Sequence, residues 1–469
     1  MSKNKLRRTF TLAAAAAALT LSQSAFAESV ELSLQEAMQR AFDTNPSITM
    51  AAYARDSARA SYNAARESFG ISISAQHQTQ RSGYDDDRYA SNWVPTPGGG
   101  VSLVTQNVGK QIGNAHANTI SASLPIWTGG LLEGTAQSAR ANYKYYEQGL
   151  QQSYNDLRSS VVNGYYGVLQ AADSQKLYED SVARLKEHLK NTKAQYDVGV
   201  VARVDVLRSE VEVANAEQSL IKAENARAIA EASLNRIVGL PLGTELKLVD
   251  ALQYVPYDND LQYCLDYAEG HRPELEMAKQ GVNAAKGALR TAISGHMPKV
   301  YASASQNWSD SNWPGDENGN WGVGVTATLN IFDSGVTQSK IHGAQADLKK
   351  AKESYRDTQD AVNLDVRTNY LNLREAEKRI HTTEVAVEKA EEDYHIAQVR
   401  YMAGVGTNTD VLDAQVALLD AQNNYLTARY DYQTSKTKLE TAIGVPMQIP
   451  VKVAVAPAEP AKAEIKEAE

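Results

Sequence analysis

Few side chains in this sequence have the types and spacing that catalysis or metal binding requires. His271 and His296 lie near predicted element boundaries without partners, and no HExxH, GxSxG or Cys/His metal-binding spacing occurs. The glycines at 98–100 lack the lysine and the helix start of a phosphate-binding loop. We therefore expect no enzyme activity, no cofactor and no metal site.

Two aspartates near a predicted helix start, Asp410 and Asp413, are the acidic pair of most interest. In the segment that reads TNTD, Thr407 has the type and position of an N-cap residue, which places Asp410 third in the helix, as in a capping box. The helix dipole also favours a negative charge there. From residue types alone, capping is therefore the simplest role for Asp410.

The elements that position these residues occur twice in the chain. The segment LPIWTGG from Leu124 returns as LNIFDSG from Leu329, and YDVGVVARVDVL from Tyr196 returns as YMAGVGTNTDVL from Tyr401, both after 205 residues. Nearer the N-terminus the offset is 227, so the first half carries 22 additional residues between about positions 75 and 120. A constant offset predicts two equivalent structural repeats.

The predicted organisation is a signal peptide at 1–27, a first repeat at 28–250, a second repeat at 251–450 and a disordered tail at 451–469. A basic start, an Ala-rich apolar run and an Ala-x-Ala site predict the signal peptide. The net charge of −9 argues against nucleic acid as a partner. The single cysteine, Cys264, cannot form an intramolecular disulfide, and its apolar neighbours predict a buried thiol.

Long helices dominate both repeats. Apolar side chains recur every three or four residues from Tyr143 to Val168, which is the spacing of a coiled-coil seam. We predict helices at about 130–197 and 204–238 in the first repeat, and at about 335–402 and 409–443 in the second. A helix of nearly 70 residues is about 100 Å long, far longer than a globular domain needs.

Short alternating segments predict two strands in each repeat, at about 71–81 and 118–127 and at about 298–308 and 321–331. Outer loops are predicted at 82–117 and 309–320. Strands with one apolar and one small-polar face fit an outer-membrane barrel, and a soluble two-layer sheet is the alternative. Tryptophans near the strand ends favour the barrel, with the predicted membrane-interface aromatics at Trp127, Trp308 and Trp321.

Four strands cannot close a membrane barrel, because an open sheet edge cannot face lipid. The barrel must therefore be shared among protomers. An eight-stranded barrel would be filled by its own side chains, so a transporting role favours three or more copies. The predicted fold class is mainly α with a membrane β-barrel.

Along essentially its whole mature length, the chain resembles the TolC family of outer-membrane efflux ducts. The resemblance is carried by Asn45-Pro46, by the repeated strand-to-helix motifs and by the two helix-hairpin tips, YDVGVVARVDVL and YMAGVGTNTDVLDA. It implies a homotrimer in the outer membrane of a diderm bacterium, surrounded by outer-membrane lipid. Each duplicated protomer would give four strands to a shared twelve-stranded barrel, and the coiled-coil helices would form a periplasmic α-barrel.

The same resemblance implies roles for the tip residues. Asp410 and Asp413 match the acidic ring of the lumen, where three-fold symmetry would crowd carboxylates and attract cations. Asp205 and Tyr401 match members of the network that closes the gate. The tips would also dock the adaptor, through residues that include two turn glycines: Val198, Gly199, Val200, Gly404 and Val405.

One member of that network is absent from this chain. The arginine of the family falls on Gly406, and Arg203 in the other tip is the candidate replacement. The resemblance therefore implies a closed, gated tip, while the particular bonds of the latch stay open.

The implied function is an exit duct that carries small molecules, such as drugs and toxic compounds, and also proteins in type I secretion. Its implied partners are a periplasmic adaptor (membrane fusion) protein and an inner-membrane pump of the RND, ABC or MFS type. The alternative is a structural coiled-coil protein that tethers the envelope without transport. That alternative predicts heptads without a barrel, or an added wall-binding domain, and we recognise no such domain in the sequence.

Overall fold

The structure of the protein, a computed structural model, describes residues 30–83, 88–109, 112–250, 252 and 254–445. The predicted signal peptide and the predicted tail lie outside the described residues. The first repeat consists of β1 (Val30–Leu32), α1 (Leu34–Thr44), α2 (Pro46–Glu67), β2 (Ser72–Gly83), β3 (Arg88–Pro95), β4 (Val101–Gly109), β5 (Ile112–Trp127), α3 (Leu131–Asp197) and α4 (Arg203–Val238). The strand β6 (Leu246–Leu248) then pairs in parallel with β1.

The second repeat follows the same order. It consists of α5 (Leu261–His271), α6 (Pro273–Ile293), a short 3₁₀ turn (Ser294–His296), β7 (Lys299–Asp310), β8 (Asn320–Thr328), α7 (Val336–Met402) and α8 (Asn408–Ala442). The helices α3 and α7 each have 67 residues, which corresponds to about 100 Å.

Each repeat has its own apolar core, and the two cores use equivalent positions. In the first, Ala37, Val161 and Leu234 pack together. In the second, the residues 227 or 205 positions later are Cys264, Val366 and Leu439, and they also pack together. Cys264 is fully buried within α5, as the sequence predicts.

The strands β2, β5, β7 and β8 form one antiparallel sheet in that order. Register gives this sheet two different faces. One face carries aliphatic side chains, because Ile73, Ala122, Ala304 and Val323 lie side by side across it. The other carries serine and glycine, in rows that include Ser74, Ser121, Ser305 and Gly322. Many of the aliphatic side chains are exposed, including Ile73 and Val323.

The helices repeat the order of the strands. Helix α2 packs on α3, α3 on α6, and α6 on α7, while nearer the tips α4 packs on α3, α3 on α8, and α8 on α7. Each of these helices is next along the chain to one strand of the sheet: α2 to β2, α3 to β5, α6 to β7 and α7 to β8. The protomer is therefore one layer whose two free edges are α2, β2 and α4 on one side and β8 and α7 on the other.

The prediction of an outer loop over 82–117 is wrong for most of that range. Residues 88–109 form the hairpin of β3 and β4, in which Trp93 lies opposite Leu103, and β5 already begins at Ile112. The Gly, Asn and Ser content of the segment is typical of a loop. These residues leave enough alternating apolar positions for two strands around the glycine turn at 98–100.

The last predicted strand, 321–331, runs too far. Strand β8 ends at Thr328, which pairs with Lys299, the first residue of β7. The residue before Lys299 is Pro298, which has no backbone N–H to offer a longer ladder. The partner strand therefore sets the end of β8, and the apolar side chains of Ile331 and Phe332 lie beyond the sheet.

Within the described ranges, no helix combines the length and the apolar character needed to cross a membrane.

Candidate functional site

The two hairpins that join α3 to α4 and α7 to α8 end in tight glycine turns. Gly199 has φ 78° and Gly404 has φ 73°, in the left-handed region that glycine adopts without strain. An added Cβ at either glycine would meet no atom within 4 Å, so backbone conformation and not space requires glycine. The valines around them, Val198, Val200 and Val405, are 65–74% exposed.

Asp410 occupies the predicted capping box at the start of α8. Its backbone N–H donates to Thr407 Oγ1 at 3.1 Å, and Thr407 N–H donates to Asp410 Oδ2 at 2.9 Å. These bonds with Thr407 hold the pKa of Asp410 below its ordinary value, and the nearby charge of Arg400 acts in the same direction. The capping role predicted from residue types is therefore present, and it keeps this carboxylate ionised.

Asp410 and Asp413 share a groove of about 400 Å³ between α7 and α8. Asp393 and Arg400 line the same groove from α7. The acidic pair thus has a third carboxylate and one guanidinium as neighbours. The sequence comparison between repeats gave no reason to single out Arg400.

Asp413 also borders a second groove, of about 510 Å³, between α4 and α8. This groove is lined on the α4 side by Val204, Leu207 and Arg208. Arg208 Nη1 donates to Thr409 Oγ1 at 3.1 Å and so ties α4 to the first turn of α8. Asp413 therefore lies on the ridge between an acidic groove and an apolar one.

Asp205 and Tyr401, the predicted members of the closing network, lie in the same region without a direct hydrogen bond. Tyr401 is buried, and its hydroxyl donates to Thr192 Oγ1 at 3.2 Å. Asp205 contributes its backbone carbonyl, which accepts from Asn408 Nδ2 at 3.1 Å. Burial raises the pKa of Tyr401, so this hydroxyl stays protonated and can donate.

One buried contact between the two hairpins was not predicted from the sequence. His188 of α3 and Asn408 of α8 are both buried, with 2.7 Å between His188 Nε2 and Asn408 Oδ1. Ser209 of α4 also donates to Asn408 Oδ1, at 3.3 Å. The ring of His188 lies 5.1 Å from the ring of Tyr401.

This contact belongs to a longer polar seam between α3 and α8. Farther from the tip, Gln415 Nε2 donates to Ser181 Oγ at 3.3 Å, and Tyr430 donates to Asp173 at 2.7 Å. A small apolar cluster that includes Leu185 and Leu412 lies between two of the polar steps. We use "the α3–α8 seam" for the pairs 173/430, 181/415 and 188/408.

Arg203, the candidate replacement for the absent arginine, is the first residue of α4. Among the described residues, Arg203 forms no salt bridge. Gly406 instead packs on the end of α7, where its N–H donates to the carbonyl of Arg400 at 3.0 Å. The guanidinium that shares a groove with the acidic pair is thus that of Arg400.

The three predicted interface tryptophans lie toward the two ends of the sheet. Trp127 lies opposite Val300 at the end near the helices, whereas Trp308 and Trp321 lie toward the other end. The distance along β7 from Val300 to Trp308 is about 26 Å at 3.3 Å per residue. Apolar bands of outer-membrane barrels are about 25 Å tall.

The sequence of α3 contains one weak signal of the α3–α8 seam. The buried positions Ser181, His188 and Thr192 of α3 fall on the three-and-four spacing of its apolar seam, yet all three are polar. A polar residue at a seam position requires a partner, but its identity depends on how α3 and α8 pack. In the described part of the chain, no group of three or more His, Cys, Asp and Glu residues could hold a metal ion.

Comparisons with known proteins agree with this architecture. The profile of the outer membrane efflux protein family matches residues 37–240 and 264–445. Outer membrane protein TolC of Escherichia coli (strain K12) is 24% identical over 437 residues, which span 88% of this chain and 82% of that protein. The toluene efflux pump outer membrane protein TtgC of Pseudomonas putida is 24% identical over 425 residues, with the same coverage of 88% and 82%.

The fold is also that of a solved outer membrane protein. The outer membrane protein VceC of Vibrio cholerae superimposes with a TM-score of 0.74 at 19% identity, covering 88% of this chain and 96% of that one. The predicted family and the predicted outer-membrane location are confirmed. The chain belongs to the outer membrane efflux protein family.

Proposed function

We propose that three copies of this chain form an outer-membrane exit duct that is gated at the helix-hairpin tips. The observation that carries the proposal is the four-stranded sheet with one aliphatic face, one serine and glycine face, and two edges that pair with no other strand in the described part of the chain. Lipid would cover the aliphatic face, and water would fill the space inside the other. The tether alternative gives no reason for such a sheet.

The free edges support a ring of copies. Backbone groups at a sheet edge cannot stay unpaired in lipid, so β8 of one protomer must pair with β2 of the next. Because the helices have the same order as the strands, the same ring brings α7 of one protomer beside α2 and α4 of its neighbour. Three copies close a twelve-stranded barrel over a helical tunnel of about 100 Å.

The gate is proposed at the tips because acidic and apolar grooves meet there. Asp410 and Asp413 of three copies would place six carboxylates around one neck, where they would attract cations. The exposed valines Val198, Val200 and Val405 are the proposed surface for a periplasmic adaptor. An inner-membrane pump would deliver the cargo through that adaptor.

The proposed cargo is small molecules, because the similar protein TtgC is a toluene efflux pump component. A strain without this gene should become more sensitive to organic solvents and hydrophobic drugs. Expression of the intact chain should restore resistance. If resistance were unchanged while a secreted protein disappeared from the medium, the small-molecule cargo would be wrong.

The gate is tested by conductance of the purified trimer in planar bilayers. The wild-type protein should pass a small, cation-selective current that divalent or trivalent cations block. Asp410→Asn with Asp413→Asn should weaken both the selectivity and the block. Asp420→Asn, farther along the same helix, is the matched control and should change neither. Loss of selectivity in the control alone, or no current from any variant, contradicts the proposal.

A further inference from the structure

The α3–α8 seam consists of polar pairs, whereas each repeat also has an apolar core. Near the sheet and in the middle of the protomer, residues such as Val161, Leu234, Val366 and Leu439 form apolar cores. Closer to the tip, hydrogen bonds of Asp173, Ser181 and His188 join α3 to α8, and the small apolar cluster of Leu185 and Leu412 lies between two of them. A hydrogen-bonded contact that parts can exchange its bonds for bonds to water, whereas a parted apolar contact exposes hydrophobic surface.

Nearest the tip, Asn408 is the centre of this contact. Its amide oxygen accepts from His188 Nε2 on α3 and from Ser209 on α4, and its amide nitrogen donates to the Asp205 carbonyl on α4. These bonds therefore join the first residue of α8 to both helices of the other hairpin. Asn408 and His188 are each 3% exposed, so water does not compete for the bond between them.

We infer that the His188–Asn408 hydrogen bond is the fastener that holds the second hairpin of each protomer against the first while the duct is closed. This inference rests on the gating proposed above. It assigns the fastening role to two residues outside the predicted network of Asp205, Tyr401 and the absent arginine. Opening requires α8 to leave α3, and the bond must then break.

One of the two residues of the fastener, His188, is titratable. The titratable groups on the neighbouring elements are Asp205 on α4 and Tyr401 on α7, and α8 offers the uncharged Asn408. Burial lowers the pKa of His188, and the bond with Asn408 opposes that shift only in part. When the hairpins part, the pKa returns toward about 6.5.

The direction of the pH effect follows from this difference. Above about pH 6.5 the ring is neutral in both arrangements, and the fastened state keeps its full stability. As the pH falls below that value, the parted ring binds a proton that the buried ring does not, so the parted state gains population. The closed duct should therefore open more often in mild acid.

The test compares variants of the full-length trimer in planar bilayers. His188→Leu removes the donor and should raise the open probability by about tenfold, the factor expected for one lost hydrogen bond. His188→Gln keeps an N–H donor close to the position of Nε2 and should stay near the wild-type value. Asn408→Ala removes the acceptor and gives a second test if His188→Leu does not assemble as a trimer.

A matched variant separates fastening from packing. Val213→Ala shortens a buried side chain in the apolar cluster of the same three helices but leaves every seam hydrogen bond in place. Val213→Ala should lower thermal stability. In contrast to His188→Leu, it should not raise the open probability. If Val213→Ala opened the duct as much as His188→Leu, or if His188→Gln opened it fully, the fastener would be ruled out.

Measurements at about pH 7.5 and about pH 5.5 bracket the ordinary histidine pKa of about 6.5. The wild-type open probability should rise at the lower pH, while that of His188→Gln should not. A wild-type response in His188→Gln would rule out His188 as the titrating group. The seam variants could have the wild-type open probability while Asp410→Asn with Asp413→Asn alters cation selectivity. That result would support the proposed duct and rule out the fastener. If no variant conducted, both would fail.

Discussion

Gly134 of α3 and Gly287 of α6 bring the backbones of the two repeats into direct contact just below the sheet. A Cβ on Gly134 would lie 2.6 Å from the Gly287 carbonyl oxygen, and a Cβ on Gly287 would lie 2.7 Å from that of Gly134. Such distances leave no space for a methyl group. The two helices can approach this closely only because both positions are glycine.

Gly134→Ala should therefore destabilise the protomer, although alanine is a better helix former. Overpacking of this kind costs about 1–3 kcal/mol. The measurement is the thermal transition of the helices by circular dichroism. Gly167→Ala in the same helix is the matched control, because an added Cβ there meets no atom within 4 Å. The control should hold or raise the transition temperature, and an equal loss in both variants would contradict the close-contact explanation.

Arg400→Gln should increase cation selectivity. Arg400 is the guanidinium that lines the groove of Asp393, Asp410 and Asp413, so its removal leaves the three carboxylates of that groove without an opposing charge in its lining. The reversal potential of the trimer in a salt gradient measures the change. Arg356→Gln on the same helix is the control, because Arg356 is exposed and far from the tip. A shift of similar size in the control would contradict a specific role for Arg400 in the gate.

Thr407→Val should move the pH at which cation block is lost to a higher value. The bonds with Thr407 depress the pKa of Asp410, so its negative charge persists above the lowered pKa and disappears as the pH falls through it. Without the hydroxyl, the backbone N–H of residue 407 still donates, so the pKa rises only part of the way toward the ordinary value of about 3.9, and neutralisation begins earlier on acidification. Block measured against pH gives the midpoint. Thr382→Val, on α7 away from the acidic groove, should leave that midpoint in place.

Tyr165→Phe should destabilise the first repeat without affecting the gate. The buried hydroxyl of Tyr165 lies 3.1 Å from the Leu32 carbonyl and 2.9 Å from Asp250 Oδ2, so it ties α3 to β1 and to the segment after β6. Loss of the hydroxyl should cost about 0.5–1.5 kcal/mol, the net contribution of a typical hydrogen bond, because both acceptors keep a backbone N–H donor, Val249 for Leu32 and Leu34 for Asp250. Chemical unfolding measures this loss. Tyr154→Phe keeps its ring contact with Phe42 and should have a smaller effect.

The long helices were predictable because they repeat one simple rule over many residues. The three-and-four spacing from Tyr143 to Val168 is so regular that tertiary contacts change little, and α3 ends at Asp197 beside the glycine turn that the sequence predicts. The capping box of Thr407 and Asp410 was predictable for a related reason, since both partners are local in sequence.

The parts that escaped prediction depend on partners far away in the chain. Strand β8 ends where Lys299 begins its partner strand, and the hairpin of β3 and β4 depends on a register that places Trp93 opposite Leu103. His188 and Asn408 are 220 residues apart. The local sequence around either residue does not identify its partner, so the seam can be recognised only when α3 and α8 are packed together.

The unpaired edges of β2 and β8 also constrain how the duct is made. One protomer alone would carry two rows of unpaired backbone groups into the bilayer, and that step is strongly unfavourable. Insertion should therefore be collective, with three chains meeting through their periplasmic helices before their sheets enter the lipid. Membrane entry would then depend on protein concentration, and a lone subunit would remain a target for periplasmic proteases.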